Sequence, residues 1–277
     1  MLKNFVKKIV PESVKCATRR MLGVDRPLLV DANSAYSYPS SWMKSHRFYG
    51  QYGEDAKLKN LFSGKKDGYF VEVGAMEGIR FSNTYLFERM GWKGICIEPH
   101  PDYFSLLQHN RPGSILIRAA AGGTDKDAVD FYTNYRGSMS TLDKSLEGFF
   151  RAHYGSFFGG FKTIQVPQVT LNSVFEKHHV PISIDLLSLD TEGTEEDVFG
   201  GFDVKKYMPR VIIAEISIKR EPVERIMKEL GYVECCTNPS NAIFCRNEED
   251  AEVVRNTCVV GEQVTIPHPL DEHHEQN

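Results

Sequence analysis

The chain has 277 residues, of which 41% are hydrophobic and 25% are charged, and its formal net charge is -4 at pH 7. These values are typical of a soluble globular protein with one sizeable core and short appendages. The acidic balance argues against a protein that binds nucleic acid over its whole surface, so we expect a small or neutral partner and no nucleic acid.

The six cysteines show neither the paired spacing of a zinc site nor the density of a disulfide scaffold. We therefore expect them to be reduced. A membrane span needs an apolar run of about 18 residues, and the sequence has none. We also see no secretory signal at its start. The reduced cysteines and the lack of a membrane span or secretory signal predict a cytoplasmic protein.

Residues 1–26 contain seven Lys or Arg residues and an apolar stripe at helical spacing. This pattern predicts a basic amphipathic helix that makes a peripheral contact with the inner membrane face. The alternative is a helix that packs on the domain or in a homo-oligomer contact. Residues 27–45 are rich in Ser, Pro and Tyr and are predicted to be a linker or an irregular lid, so 1–45 form the first segment.

From residue 69, short apolar runs alternate with helical stretches, which predicts an α/β domain over residues 46–246. The final two strands are separated by a five-residue turn, so we expect a hairpin and one antiparallel strand. The prediction is a Rossmann-like seven-stranded mixed sheet with helices on both faces. Its strands are Tyr69–Val73, Ile95–Glu98, Ser114–Ala119, Ile184–Asp190, Val211–Ile216, Tyr232–Cys236 and Ala242–Arg246.

Two further stretches depart from this alternation. Residues 130–170 are aromatic-rich and Gly-rich, and we predict an insertion over the carboxyl ends of the strands that forms an acceptor pocket. Residues 247–277 are polar and are predicted to form a loosely ordered tail. The adjacent His273 and His274 are interpreted as part of that tail rather than as a metal site.

The first strand of the domain ends in Glu72, and Gly74, Ala75 and Gly78 follow in the turn. Glycine at this point lets the backbone approach a ligand closely. The turn lacks the spacing of a pyrophosphate-binding loop, which disfavours a dinucleotide and an oxidoreductase. An adenosyl sulfonium has no phosphate, and Glu72 suits its positive charge. Alternatively, Glu72 caps the next helix or pairs with a lysine.

The second strand ends in Glu98 and Pro99. A carboxylate at this position can accept both hydrogen bonds from a ribose diol. After the third strand, Ala119 and Ala120 are small enough for an adenine ring to lie against the backbone. Together these residues predict a site for an adenosine-type nucleoside.

The fourth strand leads into Asp190 and Glu192, and Glu215 ends the fifth. Parallel strands bring these acids to one edge of the sheet, where one is the expected general base or all three hold a divalent cation such as Mg²⁺. They repel unless protonated, metal-bound or paired, and Lys219 or Arg220 is the expected partner. The alternative is helix capping by Asp190 or Thr191. Histidines at 46 and 100 are reserve bases.

An ordered series of motifs resembles the FkbM-type methyltransferases, which are class I enzymes that use S-adenosylmethionine. The resemblance covers roughly residues 50–246. Its segments are QYGED at 51–55, YFVEVGA at 69–75, FSNT at 81–84, GWKGICIEP at 91–99, VTL at 169–171, LSLDTEG at 187–193 and VIIAE at 211–215.

The resemblance implies that Glu72 and Gly74 lie against the methionine part of the cofactor, that Glu98 binds the ribose, and that Asp190 and Glu192 border the methyl-transfer site. The family often has Asn-Asp where this chain has Met76-Glu77. Other residues that it places at the cofactor pocket are Gln51, Tyr52, Glu54, Ser82, Asn83 and Thr84.

Family members typically O-methylate hydroxyls of sugars and polyketides. We therefore predict an O-methyltransferase whose acceptor is a small molecule or a glycan, with a surface-polysaccharide sugar preferred and a polyketide-type metabolite as the alternative. A different class is also open: a nucleoside-binding module without catalysis that serves as a partner in a glycan-assembly complex. The retained acids at 190, 192 and 215 argue against it.

Overall fold

The computed structural model describes residues 29–31, 47–134, 137–259 and 261–265. The predicted basic helix at 1–26 lies outside the described residues, as does the predicted linker at 27–45 apart from a short strand at Leu29–Asp31. Within the described ranges, no helix combines the length and hydrophobicity that a membrane crossing requires.

The described residues alternate between strands and helices along the chain. The strands are β1 (Leu29–Asp31), β2 (Arg47–Phe48), β3 (Tyr69–Val73), β4 (Lys93–Ile97), β5 (Ile115–Ile117), β6 (Ala120–Ala121), β7 (Lys126–Thr133), β8 (Ser140–Thr141), β9 (Lys162–Val169), β10 (Leu186–Leu189), β11 (Val211–Glu215), β12 (Val233–Thr237), β13 (Asn241–Cys245) and β14 (Glu262–Thr265). The α-helices are α1 (Glu54–Leu61), α2 (Tyr85–Arg89), α3 (Pro101–Asn110), α4 (Glu147–Tyr154), α5 (Leu171–Lys177), α6 (Glu195–Gly200), α7 (Val204–Tyr207), α8 (Arg220–Glu229) and α9 (Glu248–Asn256).

Seven strands form the central sheet, in the order β12-β13-β11-β10-β3-β4-β5. Its pairs are parallel except that β13 runs antiparallel to both of its neighbours. The predicted seven-stranded mixed sheet is confirmed, and so is the hairpin that reverses one strand near its edge.

Both faces of the sheet are covered because its central strands are apolar on both sides. On one face, Val71, Leu187 and Ile212 belong to a buried cluster with residues of α5, α6, α7 and α8. On the other, Phe70 and Ile213 pack with residues of α1, α2, α3 and α9. Full burial of one such side chain contributes about 1.5–3 kcal/mol, so these two clusters dominate the stability of the domain. The prediction of helices on both faces is confirmed.

The register of the parallel strands brings the predicted site to one edge of the sheet. Val73 is opposite Ile97 on one side and Leu189 on the other, and Leu189 is opposite Ala214. The residues that follow these positions therefore meet at the carboxyl edge, where ligands bind in open α/β sheets. This edge carries Gly74, Glu98, Asp190 and Glu215.

The insertion between β5 and α5 forms a second layer. Strands β6, β9, β7 and β8 form a four-stranded sheet, and α4 follows β8. Phe131 and Leu142 pack in a small cluster on this sheet and also line a cavity at the carboxyl edge of the central sheet. The predicted position of the insertion is therefore confirmed.

The segment after residue 246 is more ordered than predicted. The Asn247 side chain accepts a hydrogen bond from the Asp250 N–H and begins α9, whose Ala251 and Val254 are fully buried. The prediction of a loosely ordered tail is wrong for α9, because a polar average concealed two apolar residues at helical spacing. Residues 266–277, with the paired histidines, lie outside the described residues, and the segment boundaries at 45/46 and 246/247 stay predictions.

Among the described cysteines, Cys96, Cys235 and Cys245 are thiols without a disulfide, as expected. Cys258 is disulfide-bonded, so the prediction that every cysteine is reduced is wrong for that residue.

Candidate functional site

Two adjoining cavities open at the carboxyl edge of the sheet. The narrow pocket has a volume of about 70 Å³ and the larger cavity about 440 Å³. Their shared walls include Gly74, Met76, Asp190 and Glu192. Predicted site residues that line one or both are Gln51, Tyr52, Glu72, Gly74, Ala75, Ser82, Asn83, Glu98, Pro99, Ala119, Ala120, Asp190, Glu192 and Glu215. Glu54 and Thr84 line neither.

Gly74 lets two strands converge at the point where the cavities meet. Its φ is 79°, and a Cβ there would lie 1.9 Å from the backbone oxygen of Asp190. Only glycine avoids this overlap and adopts such a dihedral without strain. The predicted need for glycine is confirmed, with the added finding that the close neighbour is the backbone after β10.

Backbone strain is concentrated around the larger cavity. Met76, Phe81 and Glu192 have φ values of 49°, 60° and 54°, in the left-handed region, and all three line that cavity. Asn tolerates the left-handed region better than other non-glycine residues. The left-handed φ at position 76 is therefore consistent with the Asn that the family often has there. Strained residues of this kind collect at functional sites.

Glu98 lies in the wall of the narrow pocket and is only 4% exposed. Its two carboxylate oxygens accept hydrogen bonds from the N–H groups of Met76, at 2.8 Å, and His100, at 2.7 Å. Burial raises the pKa of this carboxyl to about 7. Each oxygen keeps a second lone pair, so the group can still accept hydrogen bonds from a ligand.

Around Glu98, small and apolar residues form much of the lining of the narrow pocket. Pro99, Ala119 and Ala120 contribute one part of its lining, and Phe131 and Leu142 of the insertion contribute another. Such a slot suits a planar ring.

The Glu72 carboxylate is held by hydrogen bonds and by an arginine of the same chain. Its carboxylate accepts hydrogen bonds from Ser82 Oγ at 2.8 Å, Thr84 Oγ1 at 2.7 Å and the Asn83 N–H at 3.1 Å. Arg111 Nη1 lies 3.0 Å from the same carboxylate. The alternative considered for Glu72, an ion pair, is therefore present, although the partner is an arginine. This network explains why Thr84 does not line the cavities.

Replacement of Arg111 by Met is expected to destabilise the protein strongly. Arg111 is fully buried and pairs with both Glu72 and Glu88. Loss of one partner of a buried ion pair leaves an uncompensated charge and costs about 3–5 kcal/mol. Urea denaturation measures the change. The control is Arg225→Met, since Arg225 and its partner Glu196 are exposed. A loss in Arg111→Met no larger than in this control would contradict the prediction.

Glu54 positions the segment 51–52 rather than facing the cavities. One oxygen accepts hydrogen bonds from the side-chain amides of Asn238 and Asn241, both at 2.8 Å, and the other accepts the Tyr52 N–H at 2.9 Å. The carboxylate thus joins the wall formed by Gln51 and Tyr52 to the turn between β12 and β13.

Three carboxyl groups face one another at the boundary between the two cavities. Asp190 lines both cavities, Glu192 lines both, and Glu215 lines the larger one. Asp190 is exposed at the cavities, yet desolvation by the surrounding protein raises its pKa to about 7, with a further contribution from the neighbouring Glu195. Burial and the neighbouring acids also raise the pKa values of Glu192 and Glu215 well above the usual range. The raised pKa values favour the neutral form of some of these groups near neutral pH, which limits the expected repulsion.

The chain matches a model of the methyltransferase FkbM domain over residues 72–234. The chain belongs to the FkbM methyltransferase family. This FkbM protein is therefore an S-adenosylmethionine-dependent methyltransferase, and its α/β fold with a seven-stranded mixed sheet is that of the class I enzymes. No match was found among curated proteins.

Solved structures resemble the FkbM protein only distantly. The methyltransferase domain of METTL16 is 9% identical, with a TM-score of 0.41, and the likeness covers 83% of this chain and 76% of that one. Precorrin-6y C5,15-methyltransferase from Geobacter metallireducens is 10% identical, with a TM-score of 0.39 and coverage of 79% and 93%. An O-methyltransferase from Bacillus cereus is 9% identical, with a TM-score of 0.37 and coverage of 87% and 94%. Such low scores add nothing to what the strand order shows.

The residues of the FkbM protein fit an adenosyl sulfonium. The narrow pocket offers a carboxylate at Glu98 beside small and apolar residues such as Ala119 and Phe131. Asn83 lines the larger cavity, its backbone N–H donates to the Glu72 carboxylate, and its buried Oδ1 has no hydrogen-bond partner. An unpartnered buried acceptor of this kind suits the amino group of a methionine moiety.

Several predicted partners are placed elsewhere. Lys219 pairs with Asp143, and Arg220 pairs with Glu224 and Glu234, so the prediction that either neutralises the acids is wrong. Thr191 does not cap α6, because its hydroxyl donates to Glu195.

The structure does not support the predicted metal site or the use of His100 as a base. Across the described ranges, no group of three or more His, Cys, Asp or Glu side chains has the arrangement of a metal site. The suggested Mg²⁺ site at Asp190, Glu192 and Glu215 thus has no support. Neither cavity is lined by His100, and position 46 lies outside the described residues.

Sequence reasoning missed side chains that only the tertiary structure brings to the site. Arg111 follows α3 and carries no motif, yet it holds Glu72. Phe149, His153 and Tyr154 of α4 line the larger cavity. Their spacing on one helix was the available signal, and it identifies a shared face only once the helix is recognised.

Proposed function

We propose that this FkbM protein is an O-methyltransferase whose acceptor is a hydroxyl of a sugar in a surface polysaccharide or another glycan. The observation that carries the proposal is the position of Asp190. Asp190 lines the narrow pocket and the larger cavity, and desolvation by the surrounding protein raises its pKa to about 7. A group of that pKa is a suitable general base at neutral pH.

When bound, S-adenosylmethionine supplies an electrophilic methyl group. The remaining tasks of the chain are to align the acceptor oxygen, to exclude water and to remove the proton of the acceptor hydroxyl. Proton removal matters for an alkyl hydroxyl because it is a poor nucleophile when neutral. Asp190 can accept this proton, and Glu215, which lines the same cavity, is a second acid beside it. A positioned base of this kind contributes about 10²–10⁴-fold to the rate.

The larger cavity supports a sugar acceptor by its size and by its mixed lining. Its volume of about 440 Å³ is within the range of small-molecule sites. The walls combine aromatic rings with amides and hydroxyls, including Gln51, Asn241, Ser217 and Ser240. These polar groups are able to donate hydrogen bonds to several hydroxyls and accept them.

Methyl transfer from labelled S-adenosylmethionine tests the proposal. The acceptors are methyl pyranosides, a hydroxylated macrolactone, and matched amines and thiols, and mass spectrometry with NMR locates the new methyl group. We expect labelled methyl ethers on a pyranoside. Transfer to the macrolactone alone favours the polyketide alternative, and methylation of only nitrogen or sulfur overturns the proposal. Binding without transfer to any acceptor favours the non-catalytic module.

Predictions about location and partners accompany this proposal. A cytoplasmic location, membrane contact through residues 1–26 and a homo-oligomer stay predictions, since that segment lies outside the described residues.

A further inference from the structure

Helix α4 (Glu147–Tyr154) places three aromatic side chains on the wall of the larger cavity. Phe149 and His153 stack with ring centroids 5.8 Å apart and planes 13° apart, and the Tyr154 ring lies 4.8 Å from that of His153. All three line the larger cavity and none lines the narrow pocket. We call these three residues the aromatic face.

The helix is anchored by Phe150, whose ring stacks on that of Tyr154 with the centroids 6.2 Å apart. Phe150 is fully buried, and its ring packs against those of Phe158 and Phe161, with centroids 5.6 and 5.7 Å away. Phe150 is the buried anchor, whereas Phe149 and Tyr154 stay 39% and 41% exposed and keep part of each ring open to the cavity. Exposed apolar surface in a cleft points to a ligand.

The aromatic face and the acids share the same cavity. Partial burial raises the pKa of Tyr154, and the acids Glu192, Glu215 and Asp190 raise it further. The Tyr154 hydroxyl therefore lies within the electrostatic field of these groups. An acceptor between the two walls therefore meets aromatic rings on one side and carboxyl groups on the other. A pyranose ring has this character, since its faces are lined with C–H groups and its edge carries hydroxyls.

The charge of the cavity discriminates among sugars. Its lining includes Asp190, Glu192 and Glu215, and Arg80 is the arginine among its lining residues. Catalysis needs an ionised Asp190, so a carboxylate or phosphate on the acceptor would meet a like charge in a partly desolvated space, where repulsion is strong. An uncharged sugar avoids this cost.

We propose that Phe149, His153 and Tyr154 are the docking face for the acceptor, and that they select an uncharged pyranose ring stacked on them with its hydroxyl edge toward Asp190. This inference rests on the proposed function, because it identifies the acceptor of the same site. It assigns specificity to the insertion rather than to the central sheet.

Variants Phe149→Ala and Tyr154→Ala test the docking face. The control is Phe157→Ala, which removes a ring that is 46% exposed and lines neither cavity. For the best methyl pyranoside, we expect KM to rise about tenfold in each test variant with kcat little changed, which corresponds to the loss of one aromatic contact. The control should match the wild type. Calorimetry with S-adenosylhomocysteine should give the same affinity in all four proteins.

The acceptor charge is tested with the methyl glucopyranoside and its uronate counterpart. We expect kcat/KM to be at least about tenfold lower for the uronate. Equal or better use of the uronate overturns the selection of an uncharged ring. Unchanged KM in both test variants overturns the docking face, while methylation of pyranosides would still support the proposed function.

A second measurement separates docking from chemistry if no pyranoside is methylated. Saturation-transfer NMR detects the same pyranosides on the protein saturated with S-adenosylhomocysteine. A signal that disappears in Phe149→Ala but persists in Phe157→Ala supports docking even where the proposed function fails. Absence of any pyranoside signal overturns the inference.

Discussion

Replacing Asp190 by Asn is expected to lower turnover by about 10²–10⁴-fold, the usual contribution of a general base. The amide has nearly the same shape as the carboxyl but cannot accept a proton from the acceptor hydroxyl. S-adenosylhomocysteine affinity should change by less than about threefold, because the ribose is expected to bind Glu98. Initial rates with labelled cofactor and isothermal calorimetry measure the two quantities.

The pH dependence of turnover gives an independent check on the same residue. The pKa of Asp190 is raised from 3.8 to about 7, so the group is protonated at pH 5.5 and ionised at pH 8.5. Wild-type turnover should therefore rise with pH through about 7 and level off. Glu196→Gln, which changes an exposed acid outside the cavities, should leave this profile unaltered. A retained profile in Asp190→Asn would assign the proton acceptor to Glu192 or Glu215.

The architecture and most of the cavity lining could be predicted because they depend on short-range signals. Buried parallel strands such as β3, β10 and β11 are mostly apolar, and Gly74, Asp190 and Glu215 lie at or just after their carboxyl ends. Strand register then places those residues side by side, independently of the conformation of the loops. Gly74 belongs to the same class of signal, since a single dihedral demands it.

Long-range side-chain pairing could not be predicted in this way. The partner of Glu72 is Arg111, 39 residues further along the chain, and the order of residues contains nothing that joins them. Lys219 was expected beside the acids because it is near Glu215 in sequence, yet its flexible side chain reaches Asp143 of the insertion instead. Local spacing predicts backbone position, whereas partner choice follows from how separate layers pack.

The same limit applies to the insertion. Its aromatic content was visible in the sequence, but the four-stranded sheet that supports α4 depends on pairing between β7 and β9, which are separated by a helix. Such pairing is decided by tertiary contacts more than by local propensity. The direction in which Phe149, His153 and Tyr154 point could therefore be learned only from the folded chain.

Replacing Glu98 by Ala is expected to weaken S-adenosylhomocysteine binding by about 100-fold, which corresponds to the loss of the charged hydrogen bonds from a ribose diol. The variant also removes the acceptor of the Met76 and His100 N–H groups, so its fold must be checked separately. Glu98→Gln provides this check, because its amide oxygen can accept one of these bonds while the charge is lost.

We expect Glu98→Gln to melt close to the wild type and still bind S-adenosylhomocysteine more than about tenfold more weakly, because a hydrogen bond to a charged group contributes about 1.5–3 kcal/mol. Calorimetry on both variants, with thermal melting as the measure of folding, separates ligand contact from loop support. If Glu98→Gln binds normally and Glu98→Ala is merely unstable, Glu98 supports the loop after β3 and the ribose contact must be assigned to another group. If both variants bind weakly while remaining folded, the narrow pocket is the adenosine site, and Asp190, which it shares with the larger cavity, lies at the boundary between cofactor and acceptor.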